Sequence, residues 1–266
     1  MVDLNPFSLW RRLLALPNES RTKTILMAFL VSGICALMVS GATVYLRPIQ
    51  AANRAAEQQA RLSALVAGIP GMSALLAQSG GSLGTIVVDL ARGAAATDVT
   101  PETLAAALED TANWTGLAPS DDLAGIRSRP NYAQIYLLRD EAGDISLAIL
   151  PISGSGYNGP IDAILALQGD MTTIAGLAIT GQSETPGLGA RIEEPAWLSQ
   201  FPGTRVADAS GNIRFAVARG ASGSEYEVDG ITGATRTSNA ITQMVRFWLG
   251  PKGYGPLIAA IRRGEF

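Results

Sequence analysis

The amino-acid sequence predicts an α+β fold with an antiparallel sheet, attached to a single N-terminal transmembrane helix. A charge-free run extends from Thr24 to Leu46, and short apolar or alternating runs recur between Tyr132 and Val217. Turn residues separate the closest of these runs, as they do in antiparallel hairpins. The sequence shows neither an internal repeat nor the regular alternation of strands and helices that a parallel sheet needs.

The first predicted element is the membrane helix, because the run from Thr24 to Leu46 is long enough to cross a bilayer. Cations outnumber acids before it: Arg11, Arg12, Arg21 and Lys23 against Asp3 and Glu19. The positive-inside rule therefore places residues 1–23 in the cytoplasm and the chain after residue 46 on the other side. A cleavable signal peptide is the alternative, since Ser40-Gly41-Ala42 is similar to a cleavage site, but the apolar core of a signal peptide is usually much shorter.

Residues 47–126 are predicted to form a helical stalk and then an Ala/Gly-rich α/β region. The stretch Ile49–Leu65 has helix-favouring composition, and Thr85–Leu90 has the composition of a strand. Thr100-Pro101-Glu102 supplies an N-cap, a proline and an early acid for a helix that continues to about Asp110. Residues 127–266 are predicted to form the main domain, with strands at Gln134–Leu138, Ile145–Leu150, Ile161–Leu167, Ile174–Thr180 and Ile213–Val217.

Composition excludes several kinds of chemistry. The chain has 266 residues, a formal net charge of −3 and no histidine. It therefore offers no basic surface for nucleic acid, and it contains no Ser-His-Asp triad, histidine-ligated haem or histidine-based zinc site. Its single cysteine, Cys35, allows neither an internal disulfide nor an iron–sulfur cluster of its own. Redox chemistry in this chain would need an organic cofactor.

The run Asp229-Gly230-Ile231-Thr232-Gly233-Ala234-Thr235 precedes a predicted helix. Apolar residues then recur at helical spacing at Ile241, Met244, Val245 and Trp248, so we expect the helix to begin near Ser238. The start of a helix favours a phosphate, and the preceding Gly-Ala pair leaves the Thr235 hydroxyl accessible. The pattern predicts that Thr235 carries a phosphate-linked group. The alternative is an Asp-Gly turn followed by a hydroxyl-rich helix N-cap.

Two glycine-containing segments are predicted to contact a cofactor, although plain loops are the alternative. Residues 182–189 include Pro186-Gly187, which suits the centre of a type II turn. The glycines would let backbone amides approach a flat ring, and Leu188 could lie against its face. The segment Ser153-Gly154-Ser155-Gly156-Tyr157 also permits close approach and ends in an aromatic residue. It lacks the spacing of a dinucleotide-binding fingerprint.

The tetrad Thr232-Gly233-Ala234-Thr235 resembles the flavinylation site of the covalent FMN-binding domain family, in which the last threonine carries FMN through a phosphoester. The segments Glu184–Gly189, Val228–Gly230 and Phe247–Pro256 look like the C subunit of the Na⁺-translocating NADH:quinone oxidoreductases. This resemblance covers the N-terminal span and nearly everything from Arg127 to Phe266, and it is weakest from Gly68 to Asp121. One local departure is Tyr157, where that family is expected to have a larger aromatic residue.

The resemblance implies an electron-carrying flavoprotein subunit of a bacterial inner-membrane complex that couples NADH oxidation and ubiquinone reduction to Na⁺ export. Implied partners are a second covalent-FMN subunit, an iron–sulfur-bearing membrane pair, and a flavin transferase that uses FAD and Mg²⁺ and releases AMP. The implied attachment site is Thr235. Implied cofactor contacts are Thr232, Gly233, Ala234, Thr237, Ser238, Glu184, Thr185, Gly187, Leu188, Gly156, Tyr157 and Asp229.

Further expectations follow from the same resemblance. The phosphoester would make the chain a phosphoprotein, its main domain would be periplasmic, and no metal site and no catalysis by the chain alone are expected. Thr237 and Ser238 are expected to cap the helix or to touch the phosphate. Two alternatives stay open: the flavin-carrying G subunit of an Rnf-type ferredoxin:NAD oxidoreductase, which shares the tetrad, and a scaffold protein of the complex that has lost the flavin.

Overall fold

The computed structural model describes Ala15, Pro17 and residues 20–68, 83–220 and 222–266, with only the backbone for residues 47–68. Most of the predicted cytoplasmic stub, residues 1–23, lies outside the described residues. The chain divides into two compact units, Met1–Leu62 and Ser63–Phe266.

The first unit is dominated by one helix, α1, which spans Arg21–Gly68. An 18-residue stretch within its segment Arg21–Leu46 has a mean hydropathy of 2.3, and the segment is long and apolar enough to cross a membrane, although a signal sequence would also have these properties. Large apolar side chains such as Phe29 and Leu37 are exposed along it, as lipid-facing residues would be. The helix continues through Pro48, so the stalk predicted for Ile49–Leu65 is continuous with the membrane segment.

The second unit is built on a six-stranded sheet in the order β2-β1-β5-β6-β7-β8, and every neighbouring pair is antiparallel. This confirms the predicted α+β fold. The strands of this sheet are β1 Leu83–Asp89, β2 Ala94–Ala95, β5 Tyr132–Arg139, β6 Ile145–Ser155, β7 Pro160–Gln168 and β8 Ile174–Gly181. Two small pairs lie outside it: β3 Trp114–Gly116 with β4 Ser128–Pro130, and β9 Ala216–Ala218 with β10 Glu227–Asp229.

Strand β1 comes from the chain before residue 127, where the sequence analysis placed a boundary, yet it belongs to the same sheet. It pairs with β5 from Leu83↔Leu138 to Asp89↔Tyr132. The turn after β1 includes Gly93, whose φ is +65°, and a Cβ built on Gly93 would lie 2.6 Å from the backbone nitrogen of Leu257. The first hairpin of the sheet therefore packs directly on the last helix of the chain, α5, which spans Gly255–Arg262.

Two predicted elements were wrong in extent. The helix expected from Thr100 to about Asp110 is reduced to α2, Leu104–Ala107, followed by a 3₁₀ turn at Thr111–Asn113. No residue of α2 is buried, so no apolar face stabilises a longer helix against the core. The strand expected at Ile213–Val217 is also shorter and later: Ile213 forms only an isolated bridge with Ala207, and the pairing begins at β9.

The remaining helices are α3, Pro195–Leu198, and α4, Thr235–Leu249. The predicted apolar stripe of α4 is confirmed, since Ile241, Met244, Val245 and Trp248 are all buried. The predicted start near Ser238 was wrong by three residues. The Ser238 amide already donates a helical hydrogen bond to the Ala234 carbonyl at 3.0 Å, so the first turn begins at Thr235.

Candidate functional site

The C-terminal half of helix α4 is fixed to strand β6. The Trp248 indole nitrogen donates to the Ser153 carbonyl at 2.7 Å. Gly154 lies so close to the helix that an added Cβ would be 3.1 Å from the Cβ of Met244. The N-terminal end of α4 is thereby brought to the end of β6, where Gly156 and Tyr157 follow.

Just beyond α4, Tyr254 secures the same side of the helix. Its hydroxyl donates to the Pro151 carbonyl at 2.8 Å, and its ring lies 5.3 Å from that of Trp248. Complete burial raises the pKa of the Tyr254 phenol far above its ordinary value, so the hydroxyl stays protonated and remains a donor.

The N-terminal end of α4 is open. Thr235 is the first residue of the helix and is exposed, and no side chain caps this end. Gly233, two residues earlier, has a φ of +84°, a conformation that glycine adopts at no steric cost. The Thr235 hydroxyl therefore stands on a helix N-terminus with its surroundings accessible, which agrees with the sequence-based prediction of its accessibility.

The buried carboxylate of Glu184 joins three segments next to this end. Glu184 is 5% exposed, and its Oε1 accepts hydrogen bonds from the backbone amides of Tyr157 at 2.7 Å and Asn158 at 3.0 Å. Its Oε2 accepts from the Thr237 hydroxyl at 2.5 Å. A buried carboxylate with this many donors fixes the relative positions of the segments that supply them. We call the four residues Tyr157, Asn158, Glu184 and Thr237 the Glu184 corner.

Glycines make this corner possible. A Cβ on Gly156 would collide with Oε1 of Glu184 and approach the Ile161 side chain to 2.8 Å. A Cβ on Gly189 would lie 2.5 Å from Oε2 of Glu184 and 2.7 Å from the Thr237 hydroxyl. These glycines thus let the backbone close around the carboxylate, whereas the sequence analysis had expected Gly156 to admit a cofactor.

The loop after β8 adopts the predicted turn. The Leu188 amide donates to the Thr185 carbonyl at 3.1 Å, and Gly187 has a φ of +74°, as the third position of a type II turn requires. Asn158 holds this loop through its side chain, which donates to the Thr185 hydroxyl at 2.8 Å. Sequence reasoning missed Asn158, because no local pattern marks a side chain that bridges two loops.

The turn places Leu188 beside the tetrad. Its side chain is 47% exposed, and its Cδ2 would be 3.3 Å from a Cβ on Gly233. On the other side of Thr235 along the chain, Arg236 lies over the ring of Tyr157, with its guanidinium carbon 5.2 Å from the ring centroid. Tyr157 is 57% exposed. Exposed side chains with apolar surface therefore lie beside residues on both sides of Thr235 in the chain: Leu188 beside Gly233, and Tyr157 beside Arg236.

Thr237 and Ser238 do not cap the helix, contrary to one expectation. Both are buried: Thr237 donates to Glu184, and the Ser238 hydroxyl accepts from the Ile231 amide at 3.3 Å. Because the helix begins three residues earlier than predicted, these hydroxyls fall on its inner face. They shape the turn that presents Thr235 and are not open to solvent.

The remaining predicted contacts lie in the lead-in to the tetrad. Asp229 ends β10, and its carboxylate accepts from the Gly220 amide at 2.9 Å, while its carbonyl accepts from the Trp197 indole at 2.8 Å. It therefore organises the neighbouring loop. Thr232 is exposed in the turn, and Ala234 is buried directly before the helix.

The residues present fit a phosphate-linked flavin. The open helix end suits a phosphate, Gly187 has open space where a Cβ would stand, and Leu188 and Tyr157 offer apolar surface to a flat ring. By contrast, the described part of the chain holds no cluster of three or more residues that could bind a metal ion.

Comparisons with known proteins agree with this geometry. The FMN-binding domain family matches residues 156–250, which contain the Glu184 corner, the type II turn and the tetrad. The C subunit of the Na⁺-translocating NADH-quinone reductase from Pasteurella multocida is 35% identical over 93% of this chain and 96% of its own length. The corresponding protein from Pseudomonas aeruginosa is 34% identical over 93% of this chain and 98% of its own length. The chain belongs to the C subunit family of these reductases.

The similarity to these C subunits covers 93% of the chain. It therefore covers more of the chain than the resemblance seen in the motifs, which was weakest between Gly68 and Asp121. The fold agrees as well. The crystal structure of Shewanella oneidensis NqrC superposes with a TM-score of 0.66 at 23% identity, covering 78% of this chain and 99% of that one. The fold of this family is therefore shared even where the sequences have diverged.

Proposed function

We propose that this chain is the FMN-carrying C subunit of a Na⁺-translocating NADH:quinone oxidoreductase, with FMN esterified to Thr235. The observation that carries the proposal is the exposed Thr235 at the open start of α4, whose chain neighbours Gly233 and Arg236 lie beside the exposed side chains of Leu188 and Tyr157. The match to the FMN-binding domain family supports the cofactor. The identity to C subunits over most of the chain supports the complex and favours this assignment over the Rnf-type alternative.

The chain's own residues hold Thr235 in place but do not activate it. Glu184, the buried carboxylate of the corner, already accepts hydrogen bonds from three donors. It is therefore not available as a general base for the Thr235 hydroxyl. We infer that a flavin transferase with FAD and Mg²⁺ makes the ester: the Thr235 oxygen bonds to the FMN phosphorus, the diphosphate bond breaks, AMP leaves, and the hydroxyl proton passes to solvent.

The linked FMN would supply electron transfer, and the chain would supply its position. Attachment through phosphate keeps the cofactor on the extracytoplasmic side, where a dissociated flavin is not easily replaced. The type II turn and the Tyr157 side chain would shield the ring from water. Electrons would be exchanged with an iron–sulfur centre of the membrane partners and with a second covalent FMN in the B subunit, during NADH oxidation, ubiquinone reduction and Na⁺ export.

Covalent attachment is tested on the purified chain in a denaturing gel. The wild-type band is expected to be yellow and fluorescent, and the peptide containing Thr235 is expected to be heavier by FMN less one water. A Thr235→Ala variant should lose the band, whereas Thr237→Ala and Ser238→Ala should keep it, since both hydroxyls are buried. Flavin retained by the Thr235→Ala variant would overturn the site, and a flavin-free wild type from cells that hold the transferase would indicate a scaffold protein.

We further propose that α1 crosses the inner membrane once, with residues 1–23 cytoplasmic and the flavin domain periplasmic. The excess of cations before Thr24 supports this orientation. A reporter enzyme fused after Phe266 that folds only in the periplasm should be active, and one that works only in the cytoplasm should be silent. Activity of the cytoplasmic reporter alone would reverse the orientation.

The Na⁺ path is proposed to lie in partner proteins of the complex. The stretch from Thr24 to Leu46 contains no acid, amide or proline, and the Thr43 hydroxyl donates to the Val39 carbonyl of its own helix at 2.7 Å. A dehydrated Na⁺ needs several oxygen ligands, usually from carboxylates or a broken helix. Replacing Ser32, Ser40 and Thr43 together with alanine should leave the sodium dependence of quinone reduction unchanged in the assembled complex. A large rise in the sodium concentration for half-maximal turnover would contradict the proposal.

A further inference from the structure

The tetrad is followed at once by a cation that the sequence analysis did not use. Arg236 is the second residue of α4 and is exposed. Several exposed arginines of the second unit pair with carboxylates, for example Arg191 with Glu194 at 3.0 Å and Arg214 with Asp208 at 3.9 Å. Within the described residues, Arg236 forms no such ion pair, and its guanidinium lies instead over the Tyr157 ring.

The chemistry of this cation suits a phosphate. A guanidinium presents planar, paired donors that match two phosphate oxygens, and it keeps its charge at any physiological pH. Thr235 and Arg236 are adjacent at the start of a helix, so a phosphodiester on the Thr235 oxygen would lie within reach of the Arg236 side chain. The positive end of the helix dipole acts on the same group.

The contact with Tyr157 holds the Arg236 guanidinium in place before a phosphate binds. A cation over an exposed aromatic ring is stabilised by only about 0.5–1 kcal/mol. A charge-assisted pair with phosphate is stronger, so the guanidinium can leave the ring for the anion. Meanwhile the ring keeps the side chain at the edge of the site instead of free in solvent.

We propose that Arg236 is the phosphate-binding side chain of this site, and that Tyr157 holds it beside Thr235 until the flavin is attached. The proposal rests on FMN attachment to Thr235. During transfer the guanidinium would pair with the FAD diphosphate while the bond from the Thr235 oxygen to the FMN phosphorus forms and AMP leaves with the electrons of the broken diphosphate bond. Afterwards it would pair with the single negative charge of the phosphodiester.

The test follows flavinylation of the flavin-free chain by the transferase with FAD and Mg²⁺. For Arg236→Ala, kcat/KM for the chain as substrate should fall roughly three- to tenfold, with Arg236→Lys in between. Raising the salt concentration should slow the wild type more than Arg236→Ala, because screening weakens the cation's contribution. Arg191→Ala is the matched control: it removes a nearby exposed arginine that is already paired, and its rate should equal that of the wild type.

A direct readout comes from the fully flavinylated proteins. The ³¹P resonance of the linked phosphodiester should shift between the wild type and Arg236→Ala, and it should stay in place in Arg191→Ala. Equal flavinylation rates together with an unchanged ³¹P resonance in Arg236→Ala would overturn the role of Arg236 and leave attachment at Thr235 intact. Absence of covalent flavin in the wild type, or its retention in Thr235→Ala, would overturn the attachment itself.

Discussion

The two ends of α4 are built into the domain in different ways. At the C-terminal end, Trp248 and Tyr254 are buried and donate hydrogen bonds to backbone carbonyls of β6. At the N-terminal end, Thr235 and Arg236 are exposed, and the exposed side chain of Leu188 lies beside Gly233 just before them. The closed end fixes the helix as a rigid support, and the open end can therefore present a reactive hydroxyl without moving. The Glu184 corner joins the open end to the neighbouring loops.

The stability of the domain should be most sensitive to truncation of a side chain at the C-terminal, closed end of α4. Trp248→Ala removes a buried ring and is expected to lower the free energy of unfolding by about 3–5 kcal/mol. Trp248→Phe should lower the free energy of unfolding by less, since it mainly leaves the Ser153 carbonyl without its hydrogen-bond donor. Urea unfolding of the purified chain, followed by circular dichroism, measures both. A loss below about 1 kcal/mol for Trp248→Ala would mean that this end is not the rigid support.

The next largest loss of stability is expected from a change in the Glu184 corner. Glu184→Gln keeps the shape but turns one acceptor into a donor, so a buried donor of the corner loses its partner at a cost of about 1–3 kcal/mol. The fraction of chain flavinylated should fall with it, because the corner positions the start of α4. The control is Glu193→Gln, which changes an exposed carboxylate at the end of the 3₁₀ turn Gly189–Glu193 and should change neither quantity.

A double-mutant cycle tests whether Glu184 and Thr237 act together. Thr237→Val removes the hydroxyl that donates a hydrogen bond to Glu184. The loss of unfolding free energy in the double variant with Glu184→Gln should therefore be smaller than the sum of the losses in the two single variants. Strict additivity would show that the two side chains do not act as a unit.

A turn distant in sequence from both ends provides a reference for a purely structural carboxylate. Burial alone would raise the pKa of Asp170, but hydrogen bonds from the hydroxyls and amides of Thr172 and Thr173 outweigh it and lower the pKa. The folded pKa lies below the unfolded one, so this stabilisation is complete above the unfolded pKa and is lost as pH falls through the folded value. Asp170→Asn should lower the free energy of unfolding by about 0.5–1 kcal/mol at pH 7.

The pH dependence separates this carboxylate effect from a general loss of packing. The stability difference between Asp170→Asn and the wild type should shrink as the pH falls through the acidic range, as measured by thermal unfolding at a series of pH values. Flavinylation should not change, since the turn is outside the site. A difference that stays constant down to about pH 2, below the usual carboxylate range, would show that the carboxylate charge is not responsible.

The smallest effect on stability is expected at the open end. Leu188→Ala truncates a half-exposed side chain and should change the free energy of unfolding by less than about 0.5 kcal/mol. The same change should leave the linked flavin more accessible to water, which fluorescence quenching by iodide would detect. A large loss of stability in the flavin-free chain would mean that Leu188 supports the fold instead of the cofactor.

The sequence predicted those parts of the fold that local patterns determine. Strands β5 to β8 and the apolar stripe of α4 follow from periodicity, and the Pro186-Gly187 turn follows from turn chemistry alone. The parallel pairing of β9 with β10 had no such signal, because these strands are short and register depends on what they pack against. Helix α2 was predicted too long, since its capping pattern was present while the buried face that would stabilise a longer helix was not.

For the candidate site, the sequence located Thr235 but not the arrangement that holds it. The Glu184–Thr237 hydrogen bond joins residues 53 positions apart, and only the folded sheet brings them together. The start of α4 was placed too late because it was inferred from the apolar stripe, which begins at Ile241, and the first turn carries no apolar residue of that stripe. The Thr237 and Ser238 hydroxyls, expected to cap the helix or to touch phosphate, instead form hydrogen bonds inside the domain. Arg236 was overlooked for a similar reason, as its contact with Tyr157 crosses between two segments.

The close contact between Gly93 and the start of α5 has a consequence for the order in which this protein can be made. Strand β1 finds its partner β5 only after the long intervening segment that ends at Tyr132 has been synthesised. The turn after β1 packs against the backbone of Pro256 and Leu257, which are synthesised much later. Until residues 256 and 257 have been synthesised, this turn lacks the backbone against which it packs. Packing of the first hairpin is therefore a late step in the folding of this domain, and chaperones that protect incompletely packed intermediates would act on the protein during that interval.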